Sequence, residues 1–294
     1  MKKGMIGILN NPAMAETSHS AGVVYIMKEL MECEVLTQRD NWNDYGELII
    51  FHGANFRPGS YNVIGGLNEG VFERIEKLKK YDGKVYSLDG FDMQDFIKKR
   101  KLTNIKYEKP ILSIVTPMKK NLAIGDSHVL SVWPNRDYEI NRTDGKTIFG
   151  YLKNPPDLSK YEKLIFYFGN IDLRFHLMRQ SDPANATRDL FNRYVSYLKS
   201  LKQDVTVTQL LPVEHESRKL PGTGLYKGEK YFGSREDRMK LRVIAHEILD
   251  RSGLNVLRWP AEWEDEDGMK MFEYMEPKQS VHLKPKFYMR NLKP

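Results

Sequence analysis

Short runs of consecutive apolar residues alternate along this chain with stretches in which apolar positions recur every three or four residues. The first pattern predicts strands covered on both faces of a sheet, the second amphipathic helices. Met5 to Leu9 opens the series as a strand, broken by Asn10-Asn11-Pro12. Ser18 then stands as the cap of a helix carrying Val23, Val24, Ile26, Met27 and Leu30. Strands are expected at Glu34 to Thr37, Glu47 to His52 and Lys84 to Leu88, with helices at Val71 to Tyr81 and Met93 to Lys101. Strands alternating with helices imply an α/β unit with a mainly parallel sheet.

Thr103 to Met118 interrupts the pattern with Pro110 and Pro117, and Lys119-Lys120 follows. A domain boundary there divides the chain into residues 1–112, a Rossmann-like α/β unit able to bind ligand or substrate, and residues 113–294. The second part repeats the alternation. Strands are expected at Asn121 to Gly125, Lys163 to Phe168, Val205 to Leu211 and Asn255 to Trp259, with helices at Ala186 to Gln203 and Glu236 to Ser252. Each strong strand runs into a polar or glycine-rich loop, and ligands of open α/β sheets collect at such carboxyl ends.

Composition narrows the class. Of 294 residues 40% are hydrophobic and 29% charged with both signs mixed, which excludes disorder and fibrous repeats. No apolar run reaches the roughly 18 residues of a membrane span, and the apolar stretch after Lys3 is too short for a signal-peptide core. The single cysteine, Cys33, excludes an internal disulfide and fits a reducing compartment, so the expected location is the cytoplasm. The 46 basic against 39 acidic side chains give +7, an excess that permits a nucleic-acid partner without requiring one.

The sharpest chemical signal is Ile124-Gly125-Asp126-Ser127-His128 at the end of a predicted strand. A serine on a tight strand-to-helix turn projects its hydroxyl above the sheet, beside backbone N–H groups that suit an oxyanion. A bare Gly-Asp-Ser is also a common turn, with Asp126 or Ser127 as a helix cap. Phe168-Gly169-Asn170-Ile171-Asp172 ends the strongest strand of this half, and Ser280-Val281-His282-Leu283 sets a histidine near the C-terminus.

The order Ser127, Gly145, Asn170, His282 resembles the SGNH (GDSL-like) hydrolases over residues 120–290 or so. The resemblance implies a flavodoxin-like three-layer α/β catalytic domain. It gives Ser127 the role of nucleophile and His282 that of base, with the Gly145 N–H and the Asn170 amide as oxyanion donors; Gly150 rivals Gly145. The segment Phe168 to His176 further resembles an SGNH-like subgroup with a Phe-Gly-Glu-Ile-Asp-Cys-Arg pattern. Asp172, Arg174 and His176 match it, and Asn170 stands at its Glu. The expected substrate contacts are His128, Asp172, Arg174 and His176, although His128 also fits a solvent-facing helix start and Arg174 an ion pair with Asp172. One departure stands out. The family's last block carries Asp three residues before the histidine, and here that position is Gln279. Glu276, Asp267 or Asp265 from the same loop are the candidates to replace it.

Other signals fall short. Gly145-Lys146-Thr147 lacks the first glycine of a P-loop, because position 140 is Ile; Pro221-Gly222-Thr223-Gly224 lacks the third glycine of a dinucleotide fingerprint. His246-Glu247 has Asp250 where a zincin needs histidine, and the seven scattered histidines form no metal-ligand spacing. Glu214 and His215 follow a strand end and are candidates to border the site. Trp259, Trp263, Phe272 and Tyr274 offer an aromatic wall near His282 or an aromatic core. His52-Gly53-Ala54-Asn55 and the glycine-rich stretch Pro58 to Gly66 suit a sugar, nucleotide or phosphate, or a merely supporting half.

The expectation is therefore an SGNH-like serine esterase or acyltransferase acting on a polar, carbohydrate- or nucleic-acid-linked substrate. It needs no cofactor and no metal. A transferase that modifies a nucleotide, a sugar or DNA (as in phage-type base modification), with its donor in the first domain, is the alternative. A non-catalytic SGNH-fold binding protein is the third. No membrane partner is expected, and a homo-oligomer stays open.

Overall fold

The computed structural model describes residues 2–9, 22, 25–26, 28–29, 33–36, 40–50, 77–78, 80–87, 106–108, 119–143, 145–213, 228–264, 271–275 and 282–291. The chain divides into two compact units, Met1–Pro117 and Met118–Pro294, each built on a five-stranded parallel sheet.

In the first unit the strands are β1 (Lys2–Leu9), β2 (Cys33–Leu36), β3 (Tyr45–Ile50), β4 (Lys84–Ser87) and β5 (Lys106–Glu108), in the order β2-β1-β3-β4-β5. This 2-1-3-4-5 order is the flavodoxin-like version of the doubly wound plan, not the six-stranded Rossmann order. Strand β5 lies inside Thr103 to Met118, which the sequence pattern leaves without a strand. Ile26, Trp42, Leu48, Leu78 and Tyr81 are buried. The Tyr81 phenol donates to the Tyr45 carbonyl, and the Tyr45 phenol to Glu34. The helix expected at Met93 to Lys101 and the stretches His52 to Asn55 and Pro58 to Gly66 lie outside the described residues.

The second unit holds β6 (Asn121–Gly125), β7 (Tyr138–Arg142), β8 (Lys163–Tyr167), β9 (Asp204–Thr208) and β10 (Asn255–Leu257). Its helices of six residues or more are α1 (Ile148–Lys153), α2 (Asn170–Phe175), α3 (Pro183–Ser200) and α4 (Arg235–Asp250). The strand order β10-β9-β8-β6-β7 is again 2-1-3-4-5 within the unit. The chain steps from β6 out to β7 and returns to pair β8 on the other side of β6. A switch point therefore opens between the carboxyl ends of β6 and β8, the place where such sheets bind ligands.

Register explains the core. Leu122 and Ile124 pair with Leu164 and Phe166, which pair with Val205 and Val207, so all six share one face. That face meets Leu190, Phe191, Tyr194 and Leu198 of α3 and Leu241, Ala245 and Leu249 of α4 in one buried cluster. Both long helices start on side-chain caps: Asp182 accepts from the Asn185 N–H, and Ser234 forms a capping box with Asp237. At the end of β6, Gly125 lies so close to β8 that a Cβ there would sit 2.3 Å from the Tyr167 carbonyl oxygen. Only glycine permits that approach. Among the described residues no helix is long and apolar enough to cross a membrane.

Candidate active site

Ser127 follows β6 at the switch point, on a turn held by backbone bonds from Asp126 N–H to the Tyr167 carbonyl and from Val129 N–H to the Asp126 carbonyl. Its Oγ lies 2.8 Å from His282 Nε2. The sequence places these residues 155 positions apart, and the fold closes them to hydrogen-bond distance.

A ladder of aromatic rings carries His282 to this point. Leu283 forms an antiparallel bridge with Met275, and the Lys284 N–H donates to the Tyr274 carbonyl. Tyr274 stacks on Trp263 and Trp263 on Trp259, whose Nε1–H donates to the Gln209 carbonyl beyond β9. Trp259 and Trp263 are buried, so they form core behind the histidine segment and not an open wall; the Phe272 side chain lies outside the described residues. Arg290 lies over the Trp133 ring, a second tie between the C-terminal segment and the chain just after Ser127. Asp265, Asp267, Glu276 and Gln279, the residues at issue for the far side of His282, are outside the described residues. So are Glu214, His215 and Pro221 to Tyr226.

Helix α2 is the part of the site that hydrophobic patterning does not reveal. All six of its residues are buried, the polar ones included. Gly169 caps it with φ +118, and a Cβ there would meet Leu210, Phe191 and Ile148 at 2.9–3.2 Å. From this helix three polar side chains reach three loops.

Asn170 is fully buried. Its Nδ2 donates to the Leu211 carbonyl at 3.0 Å, and its Oδ1 accepts from the Tyr167 phenol at 2.9 Å. The Leu211 N–H must donate, so it makes the Tyr167 oxygen an acceptor and turns the phenol proton toward Asn170. The two backbone groups of Leu211 thus fix which way the amide faces. One Nδ2 hydrogen serves the Leu211 carbonyl, and the group carries a second.

Asp172 turns the opposite way, as a residue two positions on must in a helix. Its Oδ2 accepts from the Ile148 N–H at 2.9 Å at the start of α1. Burial pushes its carboxyl up to about 7, against the pull of the backbone N–H groups of Ile148 and Phe149. The loop it holds carries Gly145, and the Thr143 N–H donates to the Gly125 carbonyl at 2.9 Å, which ties that loop to the nucleophile strand. Gly150, the rival glycine, spends its N–H on the Thr147 side chain as a helix cap.

Arg174, one turn beyond Asn170, sets Nη2 at 3.2 Å from His128 Nε2. A guanidinium only donates, so Nε2 accepts and the His128 proton sits on Nδ1. That Nδ1–H meets Asp126 Oδ1 at 2.9 Å, and the same oxygen accepts the His128 backbone N–H at 2.8 Å. The His128 ring stacks on Tyr167 and packs against the His282 ring, with centroids 4.6 Å apart.

His128, Asp172, Arg174 and His176 are the expected substrate contacts. His128, Asp172 and Arg174 are only 2%, 1% and 3% exposed, and the polar groups just named are spent inside the protein. His128 is therefore not a solvent-facing helix start. His176 is partly exposed just past α2; burial, then the Arg179 charge, holds its imidazole below the usual range. Tyr167, Asp126 as a histidine partner and Leu211 are site residues that the sequence pattern does not reveal. The one signal for them is the spacing of Asp126 and His128 on either side of the serine. Among the described residues no three His, Cys, Asp or Glu gather as a metal would require.

No family model matches the chain, and comparison with curated proteins gives no match. Solved structures with a distant likeness include one named for platelet activating factor from Streptococcus pneumonia. It is 16% identical, with TM-score 0.40, over 60% of this chain and 81% of that one. A crystal structure of an acetyl xylan esterase is 12% identical, with TM-score 0.29, over 62% of this chain and 70% of that one.

Proposed function

We propose that the second domain, residues 113–294, is a serine hydrolase of SGNH type, an esterase or acyltransferase for esters of a polar, carbohydrate- or nucleic-acid-linked substrate. The observation that carries this reading is the 2.8 Å contact of Ser127 Oγ with His282 Nε2 at the switch point of a parallel sheet. His282 Nε2 takes the hydroxyl proton as Ser127 Oγ bonds to the ester carbonyl carbon. The carbonyl electron pair moves onto oxygen and forms the tetrahedral oxyanion. The Ser127 and Gly145 N–H groups and the second Nδ2 hydrogen of Asn170 are the donors assigned to it. The oxyanion collapses, the alcohol departs with the proton from His282, and the acyl group stays on Ser127. Water or an acceptor hydroxyl then repeats the sequence in reverse.

The test is covalent. An alkyl fluorophosphonate should add one phosphonyl group to the whole chain by intact mass, with fluoride as leaving group, and the Ser127→Ala variant should add none. Equal labelling of both proteins removes Ser127 from the role.

A further inference from the structure

We propose that Asp126, His128 and Arg174 form a buried positioning chain that holds the His282 imidazole on Ser127. The inference deepens the hydrolase reading and rests on it. His282 comes from a segment tied beside the ring by the bridge of Leu283 to Met275 and by the Lys284 N–H to the Tyr274 carbonyl. The His128 ring, at a centroid distance of 4.6 Å and inclined by 37°, is a wall against the His282 ring.

The wall is itself fixed at every edge. Arg174 donates to Nε2, Asp126 accepts from Nδ1–H, and the Tyr167 ring lies nearly parallel to the His128 ring at 5.5 Å and 16°. Arg174 and Asp126 are both buried, so the guanidinium and the carboxylate balance each other across the imidazole in a medium where either alone would be costly. The result is a neutral ring with one tautomer and one orientation. A protonated or rotated His128 would lose the Arg174 bond and displace the surface on which His282 rests. The nucleophile is therefore flanked in sequence by the two residues that set its base: Asp126 before it and His128 after it.

Three variants and two readouts test this. Arg174→Met removes the donor to Nε2, Arg174→Lys keeps one, and His128→Phe keeps a ring without its hydrogen bonds. The first readout is the bimolecular rate of Ser127 modification by the fluorophosphonate, together with kcat and KM for p-nitrophenyl acetate. A base displaced by about an ångström costs on the order of 100-fold in rate. Arg174→Met and His128→Phe should slow labelling on that scale, through kcat and not KM, and Arg174→Lys should recover most of it. The second readout is the imidazole 15N spectrum at pH 8. His128 should carry its proton on Nδ1 in the natural protein, and Arg174→Met should shift both the His128 and His282 resonances.

Labelling of His128→Phe at the natural rate, in a protein whose Ser127 does label, overturns the chain and leaves the hydrolase reading standing. If Ser127 in the natural protein does not label at all, the hydrolase reading falls, and the spectra alone decide: unmoved His282 resonances in Arg174→Met overturn the proposal. Where His128→Phe fails to fold, the Met and Lys pair at position 174 decides the same question.

Discussion

The Asp172 carboxylate and the Ile148 N–H meet at 2.9 Å in the interior, so one side chain of α2 fastens the start of α1 and the loop that carries Gly145. Because burial raises this carboxyl to about 7, the folded protein binds its proton more tightly than the unfolded chain, where Asp titrates near 3.8. Between those values the unfolded state releases the proton first. Stability from this group is therefore lost as pH rises from about 4 to about 7, then levels off.

Asp172→Asn keeps an acceptor for the Ile148 N–H and removes the titration. Its melting temperature relative to the natural protein should climb by several degrees between pH 4 and pH 7.5, since about 1 kcal/mol moves the midpoint of a domain this size by about 2–4 °C. Parallel melting curves across that range would exclude the effect.

His246 predicts the opposite slope. Its Nε2 accepts from the Leu210 N–H at 3.0 Å, and burial, with the Arg242 charge adding, pushes the imidazole down to about 3. Below pH 6.5 the unfolded chain takes up the proton and the folded protein resists it, so stability is lost as pH falls toward 3. His246→Gln preserves the acceptor and should lose less stability than the natural protein between pH 7 and pH 4.5. Calorimetric scans at the two pH values read the difference.

Tyr167→Phe removes one oxygen and strands two buried groups, the Leu211 N–H and Asn170 Oδ1. Each unsatisfied group costs about 1–3 kcal/mol, so urea unfolding should report a loss of about 2 kcal/mol or more. A change below about 0.5 kcal/mol would mean that the phenol does not organise this corner.

Gly169→Ala places a Cβ at φ +118 against Leu210, Phe191 and Ile148. A residue held in such a region costs about 1–3 kcal/mol before any clash. The variant should unfold at lower urea and label Ser127 more slowly, because α2 starts at this residue. Unchanged values for both would remove α2 from its organising role.

The strands of the second unit are legible where apolar residues run together, as in Leu164 to Phe168, and the amphipathic helices α3 and α4 where they recur at helical spacing. Strand β7 is not: Tyr-Glu-Ile-Asn-Arg pairs one neighbour, at the sheet edge, and shows mostly polar residues. Helix α2 is not either, because Asn-Ile-Asp-Leu-Arg-Phe alternates polar and apolar residues, a period of two that reads as strand. Ser127 and His282 stand out through their setting and order. The roles of His128, Asp172 and Arg174 do not, because sequence alone makes a charged or titratable side chain near a nucleophile read as a substrate contact. Folding instead buries all three and turns them on one another and on backbone N–H groups.

The most direct test of the central claim is the dependence of Ser127 reactivity on His282. The fluorophosphonate rate should fall by about 100- to 10,000-fold in His282→Gln at pH 7.5, the scale of a lost general base. The melting temperature should stay near that of the natural protein. A rate unchanged by that substitution would contradict a Ser127–His282 hydrolase site.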